Sequence, residues 1–455
     1  MTVKVYHWES LSQEEKLSLL RRAEADLGGL RQSVAEILAA VKAQGDRALL
    51  AYTAQYDGVD LSGLSLRVKD EELEEAERLL PTQLKEAIAF CVANVQSYHR
   101  QQAATLTGTA TLTDANTLAG AAFRPLFETR PGVRVGERFT PIASAGLYVP
   151  RGRGSFPSVM YMLAVPAAIA GVGRIAAATP PGPGGRIDPA TLYTARLCGV
   201  GELYRVGGAQ GIAALAYGTQ SIPRVDKICG PGSLAVSTAQ RLLQATVDIG
   251  LPAGPSEALI LADESADPVR AALDLMIEAE HGSDSSAYLV TPSSALAEEV
   301  VGLLPQLLAR LEPVRAGYVR DVLAGFGGVV ITPSMQEAVE FVNAYAPEHV
   351  QIACRDPLAL LPRLRHAGEI LLGQEAPFSL ANYAVGANHV LPTGGAARTH
   401  SPLSVRDFLK SSTIIQVTPQ GRQALQGPAL SLAEYEGFSA HALALRAREG
   451  IRPAD

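Results

Sequence analysis

From about residue 143 the chain alternates short apolar runs with apolar segments of helical length, and this alternation is what most limits its fold. "SAGLYVP", "GRIAAATPP", "ELYRVGG" and "DKICGPG" read as strands; "SVMYMLAVPAAIAG", "PATLYTARLCG", "AQGIAALAYG" and "SLAVSTAQRLLQ" read as the helices that follow them. Strands this apolar have no polar face to give to water, so they belong in a parallel sheet covered by helices on both sides. The break "LPAGPSE" opens a second series: "EALILAD", a helix from Pro268 to His281, "AYLVTP", a helix near 294–310, "GGVVITP" and "GEILLG". The order of elements repeats although the letters do not. The fold class expected is α/β, with two tandem Rossmann-like parallel-sheet units.

The flanks read differently. Residues 1–27 suggest a short helical N-terminal arm, and 28–104 long amphipathic helices such as "LRQSVAEILAAVKAQGDRALLAYTAQYDG". The turn-rich "LPTGGAARTHSP" leads into a small helical C-terminal tail, 404–455. The division expected is the arm, a discontinuous first α/β domain of 28–147 plus 256–403, a second α/β domain of 148–255, and the tail. With 47% hydrophobic and 19% charged residues, the chain has apolar material for large cores. A net charge of −7 without a run of Lys and Arg argues against nucleic-acid binding. No stretch approaches the ~18 apolar residues of a membrane span, and "MTVKVYHWESLSQEEKLSLL" has no signal-peptide core. The four cysteines, Cys91, Cys198, Cys229 and Cys354, lack metal-ligand or CxxC spacing and read as buried thiols of a reducing cytoplasm. Cys229 is the one beside a glycine loop, which makes it a nucleophile candidate.

Chemistry concentrates in a few short stretches. In "MIEAEHGSDSS", Glu278 and His281 stand three apart at the end of a helix that Asp267-Pro268 would start and Gly282 would stop. Both side chains share a face, and the carbonyl end of a helix favours a nearby cation; a solvated helix end fits the same letters. "NAYAPEHVQIAC" fixes Glu348 and His349 after a proline turn, as an acid/base pair requires, although a surface Glu beside a backbone-satisfied His fits too. "ANYAVGANHVLPTGG" holds Asn382, Asn388 and His389 after the strand "GEILLG", where α/β sheets gather ligands, or where amides simply make turns. "YEGFSAHALALR" places Glu436 and His441 on the tail. No GxGxxG follows a strand, so the dinucleotide fingerprint is absent. "VGGAQG" (206–211), "CGPGS" (229–233) and "VPRGRGSFP" with Arg151 and Arg153 are strand-to-helix loops that suit either a phosphate or plain turn geometry.

Taken together, "GLYVP", "VGGAQGIAALAYGT", "VDKICGPGS", "PAGPSEALILAD", "AEHGSDS", "APEHVQI", "NYAVGANHVLPTGG" and "EGFSAH" resemble the histidinol dehydrogenase family, in its order, from about 30 to 445. The resemblance implies a zinc-dependent, NAD-linked, four-electron oxidation of an amino alcohol to a carboxylate through a bound aldehyde, L-histidinol to L-histidine in histidine biosynthesis. It implies a cytoplasmic homodimer with an exchanged tail, one Zn2+ per subunit, and the 148–255 unit on the cofactor side. By the same resemblance the zinc ligands are Glu278, His281, Asn382 and His441. The acid/base pair is Glu348 and His349, the substrate contacts are Ser256, His389 and Glu436, and the cofactor contacts are Tyr148, Gln210 and Ser233.

The chain departs from the family pattern at four of its positions. Glu278 replaces Gln, Asn382 replaces Asp, Ser233 replaces the usual Asn, and Phe378 stands where an acidic residue is common. The first two changes exchange a carboxylate and an amide, so the ligand set keeps its formal charge and its suitability for zinc. The loss of an acid at Phe378 bears on substrate charge. A paralogue oxidising another small polar alcohol is therefore an alternative expectation, and a zinc hydrolase or metabolite-binding protein without hydride transfer a further one.

Overall fold

The computed structural model describes residues 3–22, 27–107, 122–123, 126–152 and 154–448; Arg153 lies outside them. Its strands form three sheets. The first sheet holds β5 (Ser144–Tyr148), β6 (Arg174–Ala178), β7 (Glu202–Tyr204) and β8 (Lys227–Cys229), all parallel, in the order β7-β6-β5-β8. The second holds β1 (Val5–His7), β9 (Glu257–Ala262), β10 (Ser286–Thr291), β11 (Gly327–Ile331), β12 (His349–Ala353) and β13 (Glu369–Leu372), also parallel, in the order β1-β11-β10-β9-β12-β13. The third is antiparallel: β2 (Ala122–Phe123), β3 (Phe127–Arg130), β4 (Val133–Pro141) and β14 (Leu409–Val417). The α/β class and the two parallel units agree with the sequence pattern. Every residue of β9, β10 and β12 is buried, as expected of strands with helices on both faces.

Each parallel sheet reverses its strand order once, between β5 and β8 in the first and between β9 and β12 in the second. Such reversals open a crevice. Gly230, at φ +131°, serves the first: a Cβ there would stand 2.1 Å from the carbonyl oxygen of Tyr148.

Four details correct the sequence reading. Residues Val5–His7 of the supposedly helical arm form the edge strand β1, which the glycines of β11 admit: a Cβ on Gly328 would meet the Lys4 carbonyl at 2.3 Å. Residues 27–107 pack chiefly on the first sheet's layer, with Asn94 and His99 also reaching Ala384 and Asn388. The helix Leu27–Gln44 covers Gly208–Tyr217 and Leu234–Leu243, and Thr82–Thr107 covers Pro157–Ala170. The expected boundary at 147/148 falls inside β5. The tail opens with a nine-residue strand, β14, paired along its whole length with β4 before the helices Pro419–Tyr435 and Ser439–Ala447. Its "LKSSTIIQV" is β-branched but mostly exposed, so it carries little alternation to read. Among the described residues no helix is long and apolar enough to cross a membrane.

The layers are tied together by a buried polar knot. His99, on the long helix Thr82–Thr107, is fully buried; its Nδ1 pairs with Gln102 Oε1 at 2.7 Å and its Nε2 with Asn388 Nδ2 at 3.1 Å. The Asn388 amide also donates to the Met162 carbonyl at 2.7 Å, and its oxygen accepts from Val390 N–H at 3.0 Å. Burial drives the His99 imidazole down to about 4, against the opposing pull of Gln102. A histidine held neutral when folded takes up its proton only in the unfolded chain between the two values, so its contribution is complete above pH 6.5 and lost as pH falls toward 4. We expect stability to drop by about 3 kcal/mol across that interval from this residue alone. Thermal unfolding of wild type and His99→Gln over that pH range should show a shallower acid-side fall in the variant.

Candidate active site

A cavity of about 670 Å³ lies between the carboxyl edge of the first sheet and the amino edge of the second. The first sheet contributes the loops after β5 and β8, including Arg151 and Ser233. The second contributes residues just before or at the start of its strands: Ser256 before β9, His281 before β10, and Glu348 and His349 at β12. The expectation that its ligands gather at the carboxyl ends of strands is thus reversed for the second unit, whose functional edge is the amino one.

Glu278 and His281 owe their place to the helix Pro268–Ile277, started by Asp267, whose side chain accepts from Val269 N–H and Arg270 N–H. The helix tightens into a 3-10 turn over Glu278–His281, and Gly282 is extended rather than left-handed, so the stop comes from the tightened turn. Glu278 is buried. Its Oε2 lies 3.0 Å from His281 Nδ1, and its Oε1 accepts from Asn382 Nδ2 at 2.6 Å. Ser256 Oγ is also 2.8 Å from His281 Nδ1. Burial alone would raise the Glu278 carboxyl; the imidazoles of His281 and His349 and the Asn382 amide outweigh it and hold it far below the ordinary range. Glu278 in turn raises His281. One carboxylate, one imidazole and one amide therefore meet; the carboxylate and the imidazole are groups that zinc takes, and the amide donates its Nδ2–H to the carboxylate. Among the described residues no three His, Cys, Asp or Glu side chains stand close enough together to hold a metal.

Glu348 and His349 follow a strained turn. Ala346 ends the helix Met335–Tyr345 in the left-handed region at φ 53°, immediately before Pro347, a conformation that costs about 1–3 kcal/mol for a residue with a Cβ. Glu348 Oε2 accepts from Glu257 N–H at 2.9 Å, and Oε1 lies 3.7 Å from His349 Nε2. On the other side of the ring, His349 Nδ1 pairs with Glu369 Oε1 at 3.0 Å, and Phe378 packs edge-on at 5.7 Å. Burial pushes Glu348 up to about 8. For His349 burial acts downward, but Glu348, Glu278 and Glu369 prevail and raise it to about 10. Glu369 escaped the sequence reading, because "AGEILLG" shows only a strand with an acid at its start.

The remaining expected residues divide. His389 lines the cavity; its Nε2 is buried without a hydrogen-bond partner, and burial lowers it to about 4. Ser233 lines the cavity at the cap of Leu234–Leu243, its side chain making no capping bond. Tyr148, the last residue of β5, and Gln210, in the helix Gly208–Tyr217, are buried and are not among the residues that line the cavity. The Tyr148 hydroxyl accepts from Gly208 N–H at 3.0 Å, and the buried Gln210 Nε2 has no hydrogen-bond partner. An unspent amide and an uncapped helix start beside the switch-point loops suit a dinucleotide. Glu436 and His441 are not brought to the cavity. Both line a separate groove of about 570 Å³ between the two tail helices. Cys229 is excluded as a nucleophile: it is buried, and burial pushes its thiol up to about 12.

Comparison with known proteins gives consistent matches. The family model described as histidinol dehydrogenase matches residues 20–449. The chain is 45% identical over 443 residues to a histidinol dehydrogenase of Synechocystis sp., covering 97% of this chain and 98% of the relative. It is 46% identical over 449 residues to a "histidinol dehydrogenase homolog" of Rhizobium meliloti, covering 98% of this chain and 94% of the relative. The crystal structure of histidinol dehydrogenase from Elizabethkingia anophelis superposes with a TM-score of 0.88 at 32% identity, over 98% of each chain.

Asn382 donates to a buried carboxylate, so its removal leaves that charge short of a partner. In chelator-treated protein, Asn382→Ala should lower the free energy of unfolding in urea by about 1–3 kcal/mol. Asn382→Asp, which sets a second carboxylate against Glu278, should lower it further.

Proposed function

This chain belongs to the histidinol dehydrogenase family, and on that premise we propose that it oxidises an amino alcohol to the carboxylate with NAD, L-histidinol to L-histidine in histidine biosynthesis. The observation that carries the reading is the convergence of the Glu278–His281–Asn382 group and the Glu348–His349 pair on one cavity walled on its other side by the switch-point loops. Zinc, held by Glu278, His281 and Asn382 with His441 from a second copy of the chain, would orient and polarise the alcohol, and NAD would accept a hydride in each of two steps. His349 takes the hydroxyl proton at Nε2 in the first step. Glu348 takes a proton from the water that adds to the aldehyde carbon in the second. Ser256, His389 and Glu436 hold the substrate, and Tyr148, Gln210 and Ser233 the cofactor.

The placing of His441 and Glu436 away from the cavity supports a homodimer with exchanged tails, each site built from two chains. A second reading, oxidation of a different small polar alcohol, is favoured by the apolar Phe378 against His349 and by the equally similar relatives named only as homologs.

NADH formation at 340 nm with a panel of alcohols, together with rescue of a histidine-requiring strain, tests the substrate. Turnover of histidinol with rescue supports the first reading, and turnover of another alcohol alone supports the second. Ester cleavage without NAD would replace both with a hydrolase. Purified protein should hold roughly one zinc per chain. Glu348→Gln should keep alcohol oxidation and stall at the aldehyde, whereas His349→Ala should lower kcat roughly 10²- to 10⁴-fold with little change in substrate affinity. Mixing and reassociating the inactive His349→Ala and His441→Ala proteins should restore up to about a quarter of wild-type activity, since one site in each hybrid dimer is then intact. Sites contained within one chain would stay inactive.

A further inference from the structure

The strand pair β12–β13 sets His349 directly beside Glu369 in its parallel register. Two backbone bonds fix that register, Gly368 N–H to the Pro347 carbonyl at 3.0 Å and Glu369 N–H to the Glu348 carbonyl at 2.8 Å. Glycine at 368 is required by the approach, because a Cβ there would lie 2.6 Å from the Glu348 carbonyl oxygen. Neighbouring side chains on one face of a sheet meet, and here the Glu369 carboxyl reaches His349 Nδ1 at 3.0 Å. The contact is shielded: the two side chains are 11% and 3% exposed. Phe378 closes on the ring from another direction. The opposite nitrogen, Nε2, is left toward Glu348 and the cavity. Glu369 itself is not among the residues that line the cavity.

We propose that Glu369 is a positioning residue for the reaction, accepting the Nδ1–H of His349 so that the ring keeps one tautomer and one orientation and presents Nε2 as the proton-exchanging atom. The assignment of His349 as the base rests on the function proposed above. An imidazole whose second nitrogen is held by a carboxylate is restrained in rotation and stabilised once it has taken a proton. Glu369 acts only through His349, so it should matter to alcohol oxidation and little to aldehyde oxidation, where Glu348 works on water.

The test uses the full-length enzyme and the variants Glu369→Gln and Glu369→Ala. Alcohol-step kcat should fall roughly 10- to 100-fold in Glu369→Ala and less in Glu369→Gln, whose amide oxygen still accepts. KM for the alcohol should stay within about threefold, and aldehyde oxidation should change far less than the alcohol step. Imidazole nitrogen spectra of labelled protein give a readout that needs no turnover: once the ring is neutral, the His349 proton should sit on Nδ1 in wild type and become distributed over both nitrogens in Glu369→Ala. An alcohol kcat unchanged in Glu369→Ala would overturn the proposal. So would equal losses in both half-reactions accompanied by lowered thermal stability, or a wild-type ring protonated at Nε2. If the wild type oxidises no alcohol while the spectra still show a Glu369-dependent Nδ1–H, the function assigned above fails and the positioning contact stands.

Discussion

Two carboxyl side chains, Glu278 and Glu348, are buried at the amino edge of the second sheet, and a buried carboxyl group must be paired, hydrogen-bonded or protonated. Much of the surrounding structure answers that demand. Glu278 takes the His281 imidazole and the Asn382 amide. Glu348 takes the backbone N–H of Glu257. Glu257 is buried as well, and its carboxyl binds Arg22 at 2.5 Å and Gly394 N–H at 2.7 Å. Arg22 also donates to the Tyr345 carbonyl and lies over the Tyr345 ring. The N-terminal arm is thus fastened beneath Glu348 by the same requirement that shapes its surroundings.

The backbone bends to reach this arrangement. Ala346 occupies the left-handed region before a proline, and Gly368 lets β13 approach the strand that carries Glu348 and His349. Both features lie within a few residues of Glu348 and His349 or beside them in the sheet. The strain at Ala346 is a fraction of what a packed domain can sustain, since the six-stranded sheet around it is buried on both faces by two separate cores.

How much of this was legible in the letters depends on whether a signal is local. Apolar strands alternating with helices announced both parallel sheets, and the pairs Glu278–His281 and Glu348–His349 were visible because spacing alone places them. The edge of the second sheet that carries the chemistry was not visible: that depends on how two sheets face each other, which no short stretch encodes. Glu369 was missed for a related reason. Its letters describe a strand with an acid at its start, and only the register against β12 places it beside His349. The strands β1 and β14 were missed because each is held by backbone pairing to distant glycine-rich or antiparallel partners while offering few buried side chains of its own.

The electrostatics of the site turn on how its carboxyls are paired. Glu278, Glu348 and Glu369 all act on His349, and each raises it. His389 is neutral under burial and adds no compensating charge. Three carboxyls there face the His281 and His349 imidazoles, and the excess negative charge favours protons on Glu348 and His349, both of which are shifted upward. A divalent cation beside Glu278 suits that balance without requiring those protons. The carboxylate at 278 and the amide at 382 stand side by side, Asn382 Nδ2 donating to Glu278 Oε1 at 2.6 Å. The carboxylate comes from the helix end that also carries His281, and the amide from the short helix Phe378–Tyr383 that carries the apolar face against His349. That short helix brings no charged side chain to the cavity, which it lines with Asn382 and Tyr383.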